Sequence, residues 1–395
     1  MKVLYVGSFR FPGQDAAAAR VLNNAKVMRE LGHQVTFISW GGMPNEDDYC
    51  DGRYVYQGFE YINTRELRNN SHSLIDIFLL YFCRGYKTIR IIRDIKMRGD
   101  VDVVVAYNTS LFFTWLCNKY CISNKIFFIS DLTEWYSASD FIGGFFLPAF
   151  WMNELSMRYV QKKVRNKIVI SSYLKNYYLN GNIILIPPLI DVEENKIFFE
   201  KQVIADVITK SNSAVIFIFA GNPANKDMLK EFVTAIHSVF EEGKDVRLVV
   251  LGVSDREKGL YLGNTHAPEV IFLGKVPQNM VPFYYHQADF SFVIRKRNKK
   301  NMAGFPTKMA ESLAAGCPVL INNTSDLFQF VNDGYDAVLL KNYKMSSIID
   351  GIKRICNLSR SEINVMKENA RATGERKFSY QSYISIFEIF FNSLS

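Results

Sequence analysis

The residues best suited to chemistry stand together between Phe290 and Ile321. Arg295-Lys296-Arg297-Asn298-Lys299-Lys300 places five basic side chains in six positions, and Lys308 follows after Gly304-Phe305-Pro306-Thr307. The pattern reads as strand, cationic loop, Gly-Phe-Pro turn, helix, stop at Gly316, strand. A helix start holds unpaired N–H groups and a partial positive charge, so it favours an anion. Arginine and lysine around it suit a doubly charged group such as a diphosphate. Glu311 lies one turn into the same helix, where a carboxylate repels phosphate and suits paired hydroxyls such as a ribose diol. Diphosphate with diol implies a nucleotide. Taken alone, the charge run also reads as solvated loop, and Thr307 with Glu311 as ordinary helix-start residues. Their co-occurrence in one unit favours the ligand.

The elements that must position these residues recur. Val3–Val6 is an apolar strand leading into Gly7 to Gly13, then a helix from about Ala16 to Leu31, a stop at Gly32 and a strand Gln34–Ser39. Later, Ala214–Ala220 leads into Gly221-Asn222-Pro223, a helix from about Lys226 to Glu242, a stop at Gly243 and a strand Val246–Leu251. This is the βαβ signature of a doubly wound parallel sheet. Its recurrence predicts an α/β chain of two Rossmann-like domains facing across a cleft, 1–190 and 191–374, with a helix at about 375–395 packing back on the first. Further strands are expected at Val101–Ala106, Lys125–Ser130 and Lys167–Ser171, then at Val270–Leu273, Phe290–Ile294 and Pro318–Ile321. Ligands of such sheets bind at strand carboxyl ends, which gathers Gly13, Gly221 and the 295–311 segment around one ligand. No Gly-x-Gly-x-x-Gly follows either leading strand and no Walker loop occurs, which disfavours NAD, FAD and P-loop chemistry.

The 395 residues, 48% apolar and 22% charged, fit two globular domains and not a disordered chain. A net charge of +8 favours acidic partners. Nucleic-acid binding rests on charge alone, without a motif. The six cysteines form no disulfide framework or metal spacing, as expected in reducing cytosol, and Cys117 and Cys121 read as core thiols. The five histidines read as core or surface residues. The start of the chain reads as a strand and not a signal peptide, and no apolar run reaches the ~18 residues of a membrane span.

The chain resembles the retaining glycosyltransferases of family 4, which have the GT-B fold. The resemblance runs from Pro12-Gly13 through Ala16–Arg20 and Leu31–Val35, to Ser171–Leu174, to Ile184 with Pro187–Asp191, and to Gly221–Asp227. Its most specific part is Gly304-Phe305-Pro306-Thr307-Lys308 with Glu311 to Val319, similar to the donor block of bacterial polysaccharide-assembly members. It implies transfer of a sugar from a nucleotide diphosphate-sugar to a glycan or lipid-linked acceptor in surface polysaccharide biosynthesis, without a metal or other cofactor. Gly13, Gly221, Asn222, Lys226, Arg295, Arg297, Gly304, Phe305, Pro306, Thr307, Lys308 and Glu311 would bind the donor. Arg295 and Lys308 would act in catalysis, helped by Lys226 and the N–H groups of Gly304 and Phe305, which stabilise the departing diphosphate by fixed charge. Two departures stand out. The family's first glutamate falls at Ala303, and its Gly-Arg is Gly221-Asn222. The first leaves a catalytically inactive nucleotide-sugar-binding subunit as an alternative, beside a GT-B nucleotide-sugar epimerase.

The first domain would supply the acceptor side. Asp131 and Glu134 follow a strand end, where either carboxylate could orient or deprotonate a hydroxyl. They equally read as a helix cap with its capping-box partner. Asp100-Val101-Asp102 reads as a turn into a strand, not a metal site. Leu74 to Arg98 pairs an apolar start with basic residues, and 141–151 is an aromatic loop followed by cations. Both read either as contacts with the inner face of a cell membrane or as buried helix with snorkelling cations.

Overall fold

The computed structural model describes residues 1–13, 15–67, 82–99, 101–141, 143–194, 214–221, 226–263 and 265–394. They form two compact units, one of Met1–Leu189 with Tyr380–Ser395 and the other of Ile190–Ser379.

The first unit is built on β1 (Lys2–Arg10), β2 (Gln34–Gly41), β3 (Tyr49–Cys50), β4 (Arg53–Tyr56), β5 (Phe59–Asn63), β6 (Val103–Tyr107), β7 (Phe127–Leu132), β8 (Asn166–Val169) and β9 (Asn182–Leu185). Their order across the sheet is β3-β4-β5-β2-β1-β6-β7-β8-β9. All neighbours are parallel except β3 with β4 and β4 with β5. Strand alternation divides the core. Val3, Tyr5, Phe37, Val103 and Val105 bury one face against α1 (Ala16–Glu30), while Leu4, Val6, Ile38, Val104 and Ala106 bury the other. That second face is covered by Ile89 and Ile92 of α2 (Tyr86–Met97) and by Phe113, Cys117 and Cys121 of α3 (Leu111–Ser123). Buried on both sides, these strands read as continuous apolar runs.

The second unit holds β10 (Val215–Ala220), β11 (Val246–Leu251), β12 (Val270–Gly274), β13 (Phe290–Val293), β14 (Val319–Asn322) and β15 (Ala337–Leu340), ordered β12-β11-β10-β13-β14-β15 and parallel throughout. The helix after β10 runs Leu229–Glu241, so the expected start at Lys226 is corrected: Asp227 pairs as an isolated bridge with Arg295 instead. The segment expected as a cationic loop is partly helical, because Asn298 accepts a hydrogen bond from the Asn301 N–H and caps a turn over Lys299–Ala303. The donor helix follows at Thr307–Ala314, and Gly316 ends it at φ 75°.

In each sheet the strand order reverses beside the leading strand, β1 between β2 and β6, β10 between β11 and β13. Loops after these strands therefore diverge and leave a crevice. Asp102 accepts a hydrogen bond from the Lys2 N–H at 2.7 Å, the role of a turn residue. Residues 68–81, and with them the apolar part of the Leu74–Arg98 segment, lie outside the described residues. Among the described residues no helix is long and apolar enough to cross a membrane.

Candidate donor and acceptor sites

In the second unit the structure brings Arg295 and Lys308 together. Arg295 leaves β13 with its backbone clamped by Asn322, whose amide accepts from the Arg295 N–H and donates to its carbonyl, each at 2.9 Å. The guanidinium Nε then donates to Asp227 Oδ1 at 2.6 Å, and Lys308 Nζ donates to Asp227 Oδ2 at 2.5 Å. Lys308 Nζ also lies 3.8 Å from the centre of the Phe219 ring. All three charged side chains are largely buried. Burial disfavours the ionised Asp227 carboxylate, yet Arg295 and Lys308 hold it below the usual carboxylate range. Burial in turn pushes the Lys308 ammonium down, and Asp227 opposes that shift.

The helix carrying Lys308 is fixed on β13 by a buried hydroxyl pair, Ser312 Oγ 2.6 Å from Ser291 Oγ, with Ser312 also donating to the Cys317 carbonyl. Glu311 faces the same region one turn on, and burial raises its carboxyl above the ordinary value. Phe305 and Pro306 are buried at the turn, where the Phe305 ring packs on Phe330 and Phe378. Gly221 follows β10 at φ 111°, and a Cβ there would stand 3.1 Å from Lys308 Cε. Gly13 is held by crowding: a Cβ would fall 1.6 Å from the Arg10 carbonyl oxygen.

Other expected residues stand differently. The Gly304 N–H donates to the Lys300 carbonyl, so it is corrected from an anion donor to a helix-closing group. Arg297 is exposed, Lys226 is half-buried in the turn before Asp227, and Asn222 lies outside the described residues. Ala303 is 0% exposed. Asp227 and Asn322 were not singled out from sequence. An acid two positions before the first apolar residue of a helix looks like any helix start.

Asp131 is corrected. It lies within β7, 0% exposed, and its oxygens take Arg20 Nε and Nη2 at 2.8–3.1 Å and the Tyr5 hydroxyl at 2.6 Å. Neither an accessible base nor a helix cap is left. Arg20, 3% exposed, spends its other nitrogen on the Ile186 and Pro187 carbonyls. Glu134 lines a separate hollow of about 160 Å³ in the first unit with Asn108, Ser110, Tyr136 and Gln161. Asn108 sits at φ 42° just past β6 and is held by Thr133, a strained position of the kind that gathers at binding sites. A π turn, Ser156–Val160, precedes Gln161. Gln161 is 1% exposed, and among the described residues neither its Oε1 nor Ser110 Oγ has a hydrogen-bond partner. Buried polar atoms left so imply a hydroxyl-bearing ligand or water. Among the described residues no three His, Cys, Asp or Glu side chains gather as a metal site would require.

Residues 200–373 match the family model described as glycosyl transferases group 1. No curated protein matches the chain by sequence. Among solved structures the chain is similar to sucrose-phosphate synthase from Thermosynechococcus elongatus at 14% identity and a TM-score of 0.74, covering 99% of this chain and 98% of that one. It is similar to Anabaena HepE in complex with UDP-glucose at 12% identity and a TM-score of 0.67, covering both chains fully (100%). It is also similar to WaaG, a glycosyltransferase involved in lipopolysaccharide biosynthesis, at 12% identity and a TM-score of 0.65, covering 98% and 99%. At such identities the likeness establishes the fold, while the family match falls on the unit that holds Arg295, Lys308 and Glu311. The second unit thus carries a glycosyl transferases group 1 domain, within a chain that has the GT-B fold, and the two together support a glycosyltransferase enzyme.

Proposed function

We propose that the chain is a retaining, metal-independent glycosyltransferase that moves a sugar from a nucleotide diphosphate-sugar to a glycan or lipid-linked acceptor in surface polysaccharide assembly. One observation carries the donor half: Arg295 and Lys308 each hold one oxygen of Asp227, and Lys308 opens the helix that bears Glu311. Two fixed cations stabilise the negative charge that grows on a diphosphate as the anomeric bond breaks. Glu311 takes the ribose hydroxyls. In support, HepE is a GT-B neighbour described in complex with UDP-glucose. The hollow around Glu134 receives the acceptor, and Glu134 is the group that orients its hydroxyl.

Membrane contact through 141–151 is supported by Phe145, Phe146 and Trp151, which are exposed, with Phe146 at 97%. Exposed Arg158, Lys162 and Lys163 follow on the adjoining helical segment. Rings backed by cations suit an anionic bilayer at the cytoplasmic face. Co-sedimentation with anionic vesicles should fall for Phe146→Glu.

The test of the whole reading begins with a thermal-shift panel of nucleotide sugars on wild type and Glu311→Ala. The nucleotide sugar that stabilises wild type is then incubated with native lipid extract in EDTA. Release of nucleoside diphosphate only with acceptor, and a product that keeps the donor's anomeric configuration, are the expected results. Release without acceptor would replace transfer with epimerase or hydrolase chemistry. Binding without turnover would favour the second reading, an inactive donor-binding subunit, to which the buried Ala303 points.

A further inference from the structure

Lys308 is a poor place for an ammonium group unless something answers its charge. It is the second residue of its helix, where the helix dipole is positive. Arg295 lies on the far side of the same carboxylate, and burial also disfavours the charged form. Asp227 resolves this by bridging both cations with one oxygen each, itself fixed by the bridge to Arg295 and by the hydrogen bond from the Met228 N–H to the Ile294 carbonyl. The three groups together carry one net positive charge, not two.

That arithmetic matters for a diphosphate arriving at these cations, because a fixed anion then sits beside an anionic ligand. Its repulsion grows with ligand charge. A nucleoside diphosphate has a terminal phosphate whose second proton leaves near pH ~6, so above that it carries about one more negative charge than the sugar ester. We infer that Asp227 is a specificity-determining counter-ion: it holds Arg295 and Lys308 side by side before the donor arrives, and withholds from the free nucleoside diphosphate the extra grip two bare cations would give it. The inference rests on the donor reading above. In that reading Asp227 speeds departure of the spent nucleotide.

Calorimetric titration of UDP, ADP and GDP against UDP-glucose, ADP-glucose and GDP-mannose tests this in wild type, Asp227→Asn and Asp227→Glu at about pH 8. In Asp227→Asn the ratio of affinities should move about tenfold towards the free diphosphate, and less at high salt. Asp227→Glu, which keeps the charge, should retain the wild-type ratio. Should Asp227→Asn fail to fold, Asp227→Ser takes its place in the same titration. Equal weakening of both ligand types in the neutral variant, or no change in either, would overturn the inference while wild-type binding upholds the donor reading. Wild type that binds none of the six would overturn both.

Discussion

Replacing Asp131 with alanine separates a structural carboxylate from a chemical one. The substitution removes the acceptor of the Arg20 Nε and Nη2 bonds and of the Tyr5 hydroxyl bond, all within a buried network. Arg20, 3% exposed, keeps its charge and loses its counter-ion. Breaking a buried pair on one side costs about 3–5 kcal/mol, and the stranded Tyr5 hydroxyl adds about 1–3 kcal/mol, not fully additive. Against a typical total of about 5–15 kcal/mol for a domain, that is a large fraction. Urea titration should show the midpoint of the first unit falling steeply, with activity lost in step with folding. The double variant Arg20→Met with Asp131→Leu should recover most of the midpoint, because apolar groups of similar size often replace such a pair at little cost. An unchanged midpoint for Asp131→Ala, with turnover abolished, would refute the structural role and return Asp131 to the chemistry.

Three further outcomes are expected. Lys167, 0% exposed, has its ammonium pushed by burial from 10.5 down to about 8, so the fold binds fewer protons than the unfolded chain between those values, and this group's contribution to stability rises with pH across that window. Lys167→Met should therefore stabilise at neutral pH by up to about 3 kcal/mol, less about 1 kcal/mol for its lost bond to the Val164 carbonyl, with the gain fading in alkaline denaturation curves. Gly374→Ala would bring a Cβ to 2.5 Å from the Ala314 backbone nitrogen, forcing apart the Arg360–Phe378 helix and the donor helix; about 1–3 kcal/mol of destabilisation is expected in urea, together with weaker nucleotide-sugar binding. Because burial raises the Glu311 carboxyl, lowering the pH should protonate it earlier than an ordinary glutamate, and donor affinity should fall; Glu311→Gln should bind more weakly and lose that pH dependence.

The doubly wound sheets were legible because buried parallel strands such as Val3–Val6 and Val215–Ala220 are unbroken apolar runs, and the helices that follow them stop at Gly32 and Gly243. The β3–β5 ribbon was not, since its strands are only two, four and five residues long and broken by turn glycines, and their buried side chains, Phe59 and Tyr61, are too few to impose a pattern. Local motif chemistry placed Lys308 and Glu311 on a single helix. It could not find the Asp227 bridge or the Arg20–Asp131 pair, because their partners are 68–111 residues away in the chain and spacing carries no trace of them. Asp131 shows the hazard in the other direction: a carboxylate at the end of a strand looks reactive until the guanidinium that neutralises it is known.

Residues 380–395 rejoin the first unit after the second has been completed. Their Phe387, Phe390 and Phe391 enter the core beside Val21, Ala25 and Met28. On the ribosome, then, the 190–379 body has all its own strands while the earlier-made one still lacks its closing aromatic helix. Nascent chains halted at 379 should carry a protease-resistant later body and an exposed apolar seam on the earlier one, making that interval the period of greatest need for a chaperone.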